Sequence, residues 1–447
     1  MKFLKKICLF YFLMLFFSIY SYANVINFKP EISISETYTD NYDQKKRDKE
    51  VEYYTRYGLG FTLEALTRKT KSSLSYFPSY VDYKKHDEND SMEHRFNLSS
   101  LYNFTRHTEL NFSQSFSKTR DPQIRTGNWV DHDSIVASLG LRNIFGKRNL
   151  AGADISFSSD RFDDSDNADS NNAFKGSLSL DYWFGIRYGY SSGLSYERTI
   201  FKKSDEDKDT ISGNIKLIRK LSEHFQIYCA YSQIYSDDGN SRHNVYNPSL
   251  GFNWSTSKTS KVSLGAGILF HSYNDRKDSS DFFVDADIFK IFNLSQRSSF
   301  SVSGSSGYES TSEEAASLGF NIYYKGGFNY GYRLTKKSSF NISSSYKQQI
   351  FKEKAGDRVD NTFNVNTGIS WSPLRWLTTS LSYAYINFNS DLSSRDDYEE
   401  NRVTLSLRLY PSRPPKVVLD KTIQEGDDEI FGNKTREKLD EQIFMNK

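Results

Sequence analysis

Through most of the chain, apolar and polar side chains alternate with a period of two, in segments of about 10–16 residues. Tyr53, Tyr57, Leu59, Phe61, Leu63 and Ala65 fall on one face of such a segment, and Glu52, Arg56, Gly58, Gly60, Thr62 and Glu64 on the other. Phe96, Leu98, Tyr102 and Phe104 alternate with Arg95, Asn97, Ser99 and Asn103. Ile211, Gly213, Ile215 and Leu217 alternate with Ser212, Asn214 and Lys216. The longest run carries Leu318, Phe320, Ile322, Tyr324, Phe328, Tyr330, Tyr332 and Leu334 on one face, with Asn321, Lys325, Asn329 and Arg333 on the other. A helix would scramble each of these faces, so the segments are strands.

Charged loops centre near residues 46, 88, 125, 167, 206, 240, 278, 313, 356 and 394, at a mean spacing of about 39 residues. Two strands of about 13 residues, a longer loop and a short turn fill that interval, so each repeat is one β-hairpin. Ten loops imply about twenty strands (18–22), from near Ile32 to near Leu409. The short connections repeat a pattern, as in Leu217-Ile218-Arg219-Lys220-Leu221-Ser222 and Tyr332-Arg333-Leu334-Thr335-Lys336-Lys337.

An antiparallel sheet of that width leaves long edges unpaired unless it closes, and lipid tolerates no unpaired edge. The expected fold is therefore all-β, a single antiparallel transmembrane β-barrel. It has short periplasmic turns, charged extracellular loops, an apolar outer face and a polar lumen. Trp183, Trp254, Trp371 and Trp376 sit beside the short turns, where an interfacial aromatic girdle would lie. The alternation assigns Glu52, Arg56, Glu64, Arg95, Arg142, Asp154, Asp181, Arg187, Glu197, Lys216, Asp285, Asp287, Lys325, Arg333, Arg402 and Arg408 to the lumen. Acids and bases nearly balance there. Pairing across neighbouring strands is the main expectation, with weak ion selectivity at most.

Composition agrees with a sheet wet on one side. Of 447 residues 16% are aromatic, while the hydrophobic class is only 37% and the mean hydropathy −0.66. The aromatics are too evenly spread for disorder. Residues 1–23 read as a secretory signal peptide: Lys2, Lys5 and Lys6, an apolar run from Ile7 to Ile19, then Ser21-Tyr22-Ala23. Its removal leaves 55 basic side chains against 56 acidic, so the net charge moves from +2 to −1. Nucleic-acid binding loses its support. Cys229 then stands alone, so no intramolecular disulfide staples the fold.

The division expected is a signal peptide (1–23), a barrel (24–411) and a periplasmic tail (412–447) opening Ser412-Arg413-Pro414-Pro415, with a short helix at Thr435–Phe444. With the first strand beginning about ten residues after the cleavage site, no plug domain is expected, nor a TonB-dependent receptor. Seven scattered histidines show no metal spacing, and the Asp/Asn run 163–171 lacks the Gly and Glu of a dedicated Ca²⁺ loop. No G-x-S-x-G, Walker or dinucleotide motif is present. The expectation is a non-enzyme without cofactor.

The segment Phe28-Lys29-Pro30-Glu31-Ile32-Ser33-Ile34-Ser35-Glu36-Thr37-Tyr38-Thr39-Asp40-Asn41, with the hairpin ending Leu74-Ser75-Tyr76-Phe77-Pro78-Ser79-Tyr80, resembles the outer-membrane barrel proteins of PEP-CTERM/exosortase systems. These are similar in turn to porins encoded beside exopolysaccharide loci. The resemblance spans most of residues 28–410 and implies a Gram-negative outer membrane and an exopolysaccharide context, without site residues. The charged tail departs from the strand-terminated ends common in such barrels, which leaves Val403–Tyr410 as the candidate internal assembly signal. Expected partners are lipopolysaccharide, the barrel-assembly machinery, and exopolysaccharide or its export machinery. Two functions compete: a passive porin-like channel or export conduit, and a structural barrel whose charged loops contact envelope polymers.

Overall fold

The computed structural model describes residues 25–411, apart from 123–128, 164–169, 203–206, 238, 240, 258, 275–276, 311–319, 354–355 and 392–396. The segments expected as signal peptide and as C-terminal tail with a short helix, and most of the 163–171 run, lie outside the described residues. Twenty antiparallel strands follow in chain order: β1 (Val25–Thr39), β2 (Glu52–Leu66), β3 (Thr70–Tyr83), β4 (Ser91–Asn103), β5 (Thr108–Pro122), β6 (Trp129–Phe145), β7 (Asn149–Phe162), β8 (Asn171–Phe184), β9 (Tyr188–Phe201) and β10 (Lys208–Lys220). They continue as β11 (Phe225–Asp237), β12 (Arg242–Ser257), β13 (Ser260–Tyr273), β14 (Ser279–Asn293), β15 (Ser298–Ser310), β16 (Phe320–Tyr332), β17 (Ser338–Glu353), β18 (Gly356–Leu374), β19 (Leu377–Ser390) and β20 (Tyr398–Leu409).

Each strand pairs with the next, and β1 pairs with β20 from Ile32↔Leu409 to Thr39↔Arg402, closing the barrel. The connections alternate in length as expected. Turns such as 67–69, 146–148 and 185–187 lie at one end, and loops such as 40–51 and 84–90 at the other. In two of the tight turns Gly146 (φ +64°) and Gly185 (φ +82°) adopt the left-handed backbone a side chain disfavours. The longest alternating run is shorter than its pattern suggested: β16 stops at Tyr332, and Leu318 lies outside the described residues.

The registers settle which face is which. Ile26, Phe28, Ile32 and Ile34 of β1 stand exposed on the same side as Tyr57 and Leu59 of β2, and Leu178, Leu194 and Ile215 continue this apolar face round the barrel. The opposite face carries Asn27, Thr37, Thr39 and Glu52, all buried. The outer side is thus a lipid-facing band, as closure in a membrane requires.

The expected rule, apolar outward and polar inward, is broken by a buried apolar cluster that spans several strands. At the long-loop ends of β11–β14 the inward positions are Ile234, Val245, Leu269 and Phe283, which cluster with Ile322 and Tyr308. The cause is a seam. Pairing of β14 with β15 ends at Ala286↔Ser306, where the Ser306 hydroxyl accepts from Ala286 N (3.0 Å) and donates to Val284 O (2.6 Å). Beyond it the β15–β16 hairpin tucks behind β14. Tyr308 meets Phe283 edge-on at 5.0 Å and hydrogen-bonds Ser232 of β11. The face of β15 and β16 that meets lipid lower down here covers the inner wall of β11–β14. Apolar residues are inward because a second layer of sheet, rather than water, lies against them.

Candidate functional site

The candidate site is the lumen. Its inner wall is built from alternate residues of each strand, mostly Ser, Asn, Thr and Gly, with charges that meet across neighbouring strands. Glu64 takes Lys29 at 2.5 Å; Arg56 takes Glu93 at 2.7 Å, with Arg95 3.5 Å from the same carboxylate. Arg142 lies 3.6 Å from Glu109, Glu197 3.3 Å from Lys175, and Asp287 3.0 Å from Lys261. Arg402 holds Glu400 at 2.7 Å and Arg408 lies 3.8 Å from Glu31. Each pair joins inward positions: Glu109–Arg142 and Lys175–Glu197 are register partners, Lys29–Glu64, Lys261–Asp287 and Glu31–Arg408 diagonal neighbours, and Arg56 reaches Glu93 across β3, so these charges neutralise one another locally.

The remaining assigned residues are placed differently. The Lys216 ammonium sits 3.7 Å above the Tyr228 ring. That phenol lies flat on β12 and β13, and a Cβ at Gly251 or Gly265 would come within 2.5 and 2.6 Å of its hydroxyl oxygen. Asp285 is the inward residue opposite Gly265, and Asp181 shares a row with Lys216 through Ser191. Lys325 faces Lys347 across β16 and β17, and Asp154 faces Gly140. Two residues are not on the wall: Arg187 belongs to the 185–187 turn, and Arg333 lies past the end of β16. Counting by twos carried both beyond the last ladder pair, where side-chain direction no longer alternates.

The tryptophans divide. Trp254 and Trp371 are exposed on the outward face, each beside a β-bulge at the short-turn end, and Trp376 is exposed within the 375–376 turn. Trp183 is a correction: it turns inward, its ring over Gly189 and the Lys220 ammonium 4.3 Å from its centroid. The girdle positions at that hairpin are filled by Tyr182, Phe184 and Tyr188, which stand exposed. Trp183 lines a cavity of about 620 Å³ with Arg142, Arg148, Asp154, Asp181 and Lys220.

Lys29, Glu31, Glu93, Glu109, Lys175, Lys220, Lys261 and Glu400 are inner-face charges that the sequence assignment missed. Strand parity, carried outward from each apolar face, is the signal that finds them.

At the other end the 40–51 loop clasps the rim. Tyr42 is stacked between His86 and Trp129, at centroid distances of 4.5 and 4.6 Å, and Asn89 donates to its hydroxyl at 2.7 Å. The nitrogens of His86 lie 2.6 Å from the fully buried Glu52 and 3.0 Å from Glu50. Burial alone would disfavour the imidazolium, but the bonds and charges of Glu52 and Glu50 outweigh it and raise the pKa. Burial also pushes the Tyr42 phenol up. Asn41 donates to Glu399 O at 2.8 Å and Asp40 accepts from Asn401 at 2.7 Å, so the loop ties β20 to β1.

No protein-family model and no curated relative matches the chain. Solved structures do. The FrpB iron transporter from Neisseria meningitidis (F5-1 variant, apoprotein form) is 10% identical over 88% of this chain and 82% of that one, with a TM-score of 0.53. The chain folds as an outer-membrane β-barrel. The F3-3 variant of FrpB is 9% identical over 86% and 81%, with a TM-score of 0.50. Acinetobacter baumannii OccAB4 is 11% identical over 86% of this barrel and 98% of that chain, with a TM-score of 0.41.

Proposed function

We propose that the barrel is a passive, non-enzymatic conduit across the Gram-negative outer membrane for a hydrophilic solute, with exopolysaccharide as the cargo class. The observation that carries this reading is the inner wall: hydroxyl, amide and glycine positions whose charges largely pair with one another, as at Lys29–Glu64, Arg142–Glu109, Lys175–Glu197 and Lys261–Asp287. Such a wall offers water and sugar hydroxyls many exchangeable hydrogen bonds and no strong field of one sign. The exopolysaccharide assignment rests further on the resemblance of residues 28–41 and 74–80. The apolar band would meet lipopolysaccharide and membrane lipid, and the barrel-assembly machinery would insert the chain. Purified barrel in planar bilayers is expected to give ohmic current with weak ion selectivity. A folded, inserted barrel that never conducts sinks the proposal.

A second reading, a surface-interaction barrel, draws on the clasp over the rim and on the exposed charge pairs around it, Lys46 with Asp397 and Lys84 with Glu36. Deleting residues 43–49 would then abolish polymer attachment at the cell surface while leaving any conductance intact.

A further inference from the structure

Local pairing of the inner-wall charges lapses at Lys216, on the Tyr228 ring, where Lys325 faces Lys347, and at the short-turn mouth. Lys220 is the last residue of β10 and Arg148 lies in the 146–148 turn, and both line the same cavity. Among the described residues neither meets a carboxylate. Along β8–β10 the next acid is two rows deeper, past Trp183, Gly189 and Ile218, where Asp181 shares its register row with Lys216. Around Lys220 and Arg148 the mouth is therefore locally cationic, with Glu109, Asp154 and Asp181 elsewhere on the cavity wall.

Two further groups there lack partners. Gln226, paired in register with Lys220, is buried, and its Oε1 has no hydrogen-bond donor among the described residues. The Arg142 Nε is likewise buried without an acceptor. An unpaired buried amide oxygen costs about 1–3 kcal/mol, which a ligand that donates to it would recover. Trp183, flat on Gly189, gives the cavity an aromatic wall.

We propose that this mouth holds a subsite for a hydroxylated anion, of sugar-acid or sugar-phosphate chemistry. The anionic group sits between Lys220 and Arg148, and a hydroxyl donates to Gln226 Oε1. The cations supply charge-assisted hydrogen bonds, and the amide selects an O–H donor over a bare anion. The proposal deepens the conduit reading and rests on it for the cargo class, yet binding is measured apart from conduction.

Calorimetric titration of the full barrel in detergent with galacturonate, galactose 6-phosphate, galactose and inorganic phosphate tests it. Both sugar anions are expected to bind at least about tenfold more tightly than galactose and than phosphate. Lys220→Gln and Arg148→Gln should each weaken sugar-anion binding about tenfold, with unchanged heat-modifiable gel migration showing that the barrel is folded. Gln226→Leu should erase the preference for sugar anions over phosphate. Galactose or phosphate binding as tightly as the sugar anions, no binding at all, or an unaffected Lys220→Gln barrel would overturn the subsite. A barrel that binds galacturonate but passes no current leaves the subsite standing and removes the conduit.

Discussion

Phe282 and Phe283 are neighbours in sequence and opposites in environment, so truncating each tests the assignment of faces and the tucked seam together. Phe282 is 71% exposed on the lipid side, and Phe283 is 2% exposed, beneath Tyr308. Unfolding into aqueous urea returns both rings to water, so each Phe→Ala change loses a transfer contribution of about 1.5–3 kcal/mol. For Phe282 nothing more is lost, because fluid acyl chains close over the missing ring. For Phe283 the surrounding Val245, Leu269 and Ile322 are fixed by two sheet layers. The cavity therefore persists and the total reaches about 3–5 kcal/mol. The difference expected between the variants is about 2 kcal/mol, or roughly thirtyfold in the unfolding equilibrium. Reversible urea titrations in lipid vesicles, followed by tryptophan fluorescence, measure it. Equal losses, or a larger loss for Phe282→Ala, would refute both the parity of β14 and the inward fold of β15.

Further outcomes follow from the same geometry. Arg56→Ala leaves the buried Glu93 carboxylate with only Arg95 at 3.5 Å, and should cost about 3 kcal/mol. The Arg56→Ala/Glu93→Ala double variant should recover part of that loss in the same titration. Because the folded-state pKa of His86 is raised, its contribution to the clasp is fully present below the unfolded pKa and is lost as pH rises through the folded value. Nicking of the 40–51 loop by a lysine-specific protease, normalised to a peptide substrate, should therefore quicken from about pH 6 to about pH 8. In His86→Gln the rate should be flat, and a wild-type rate that falls with pH would refute the clasp. Gly251→Ala drives a Cβ into Leu264 O and to 2.5 Å from the Tyr228 ring. It should cost about 1–3 kcal/mol, and a loss under 0.5 kcal/mol would show that Tyr228 does not lie on that wall.

Most of the architecture was legible because a strand that separates lipid from water must alternate. Tyr53 through Ala65 could be split into faces by eye, and the loop spacing counted the hairpins. The site was legible only where parity was certain. Glu64, Arg95 and Asp287 face inward as their parity indicates, each lying inside its ladders rather than at a strand end. Arg187 and Arg333 were misassigned at strand ends, where alternation stops. Trp183 followed a general preference for interfacial tryptophan, whereas its actual direction depends on its register against Gly189.

The sequence by itself determined a closed antiparallel barrel of about twenty strands and its outward apolar band, because both follow from local periodicity and from the cost of an unpaired edge in lipid. The tertiary structure decided which charges meet, where the wall folds upon itself, and which cations at the mouth go unpaired. Those are relations between strands far apart in the chain, such as Ser232 with Tyr308, or β20 with the 40–51 loop. Alternation cannot encode them, since a period of two says which side a residue faces but nothing about what stands opposite.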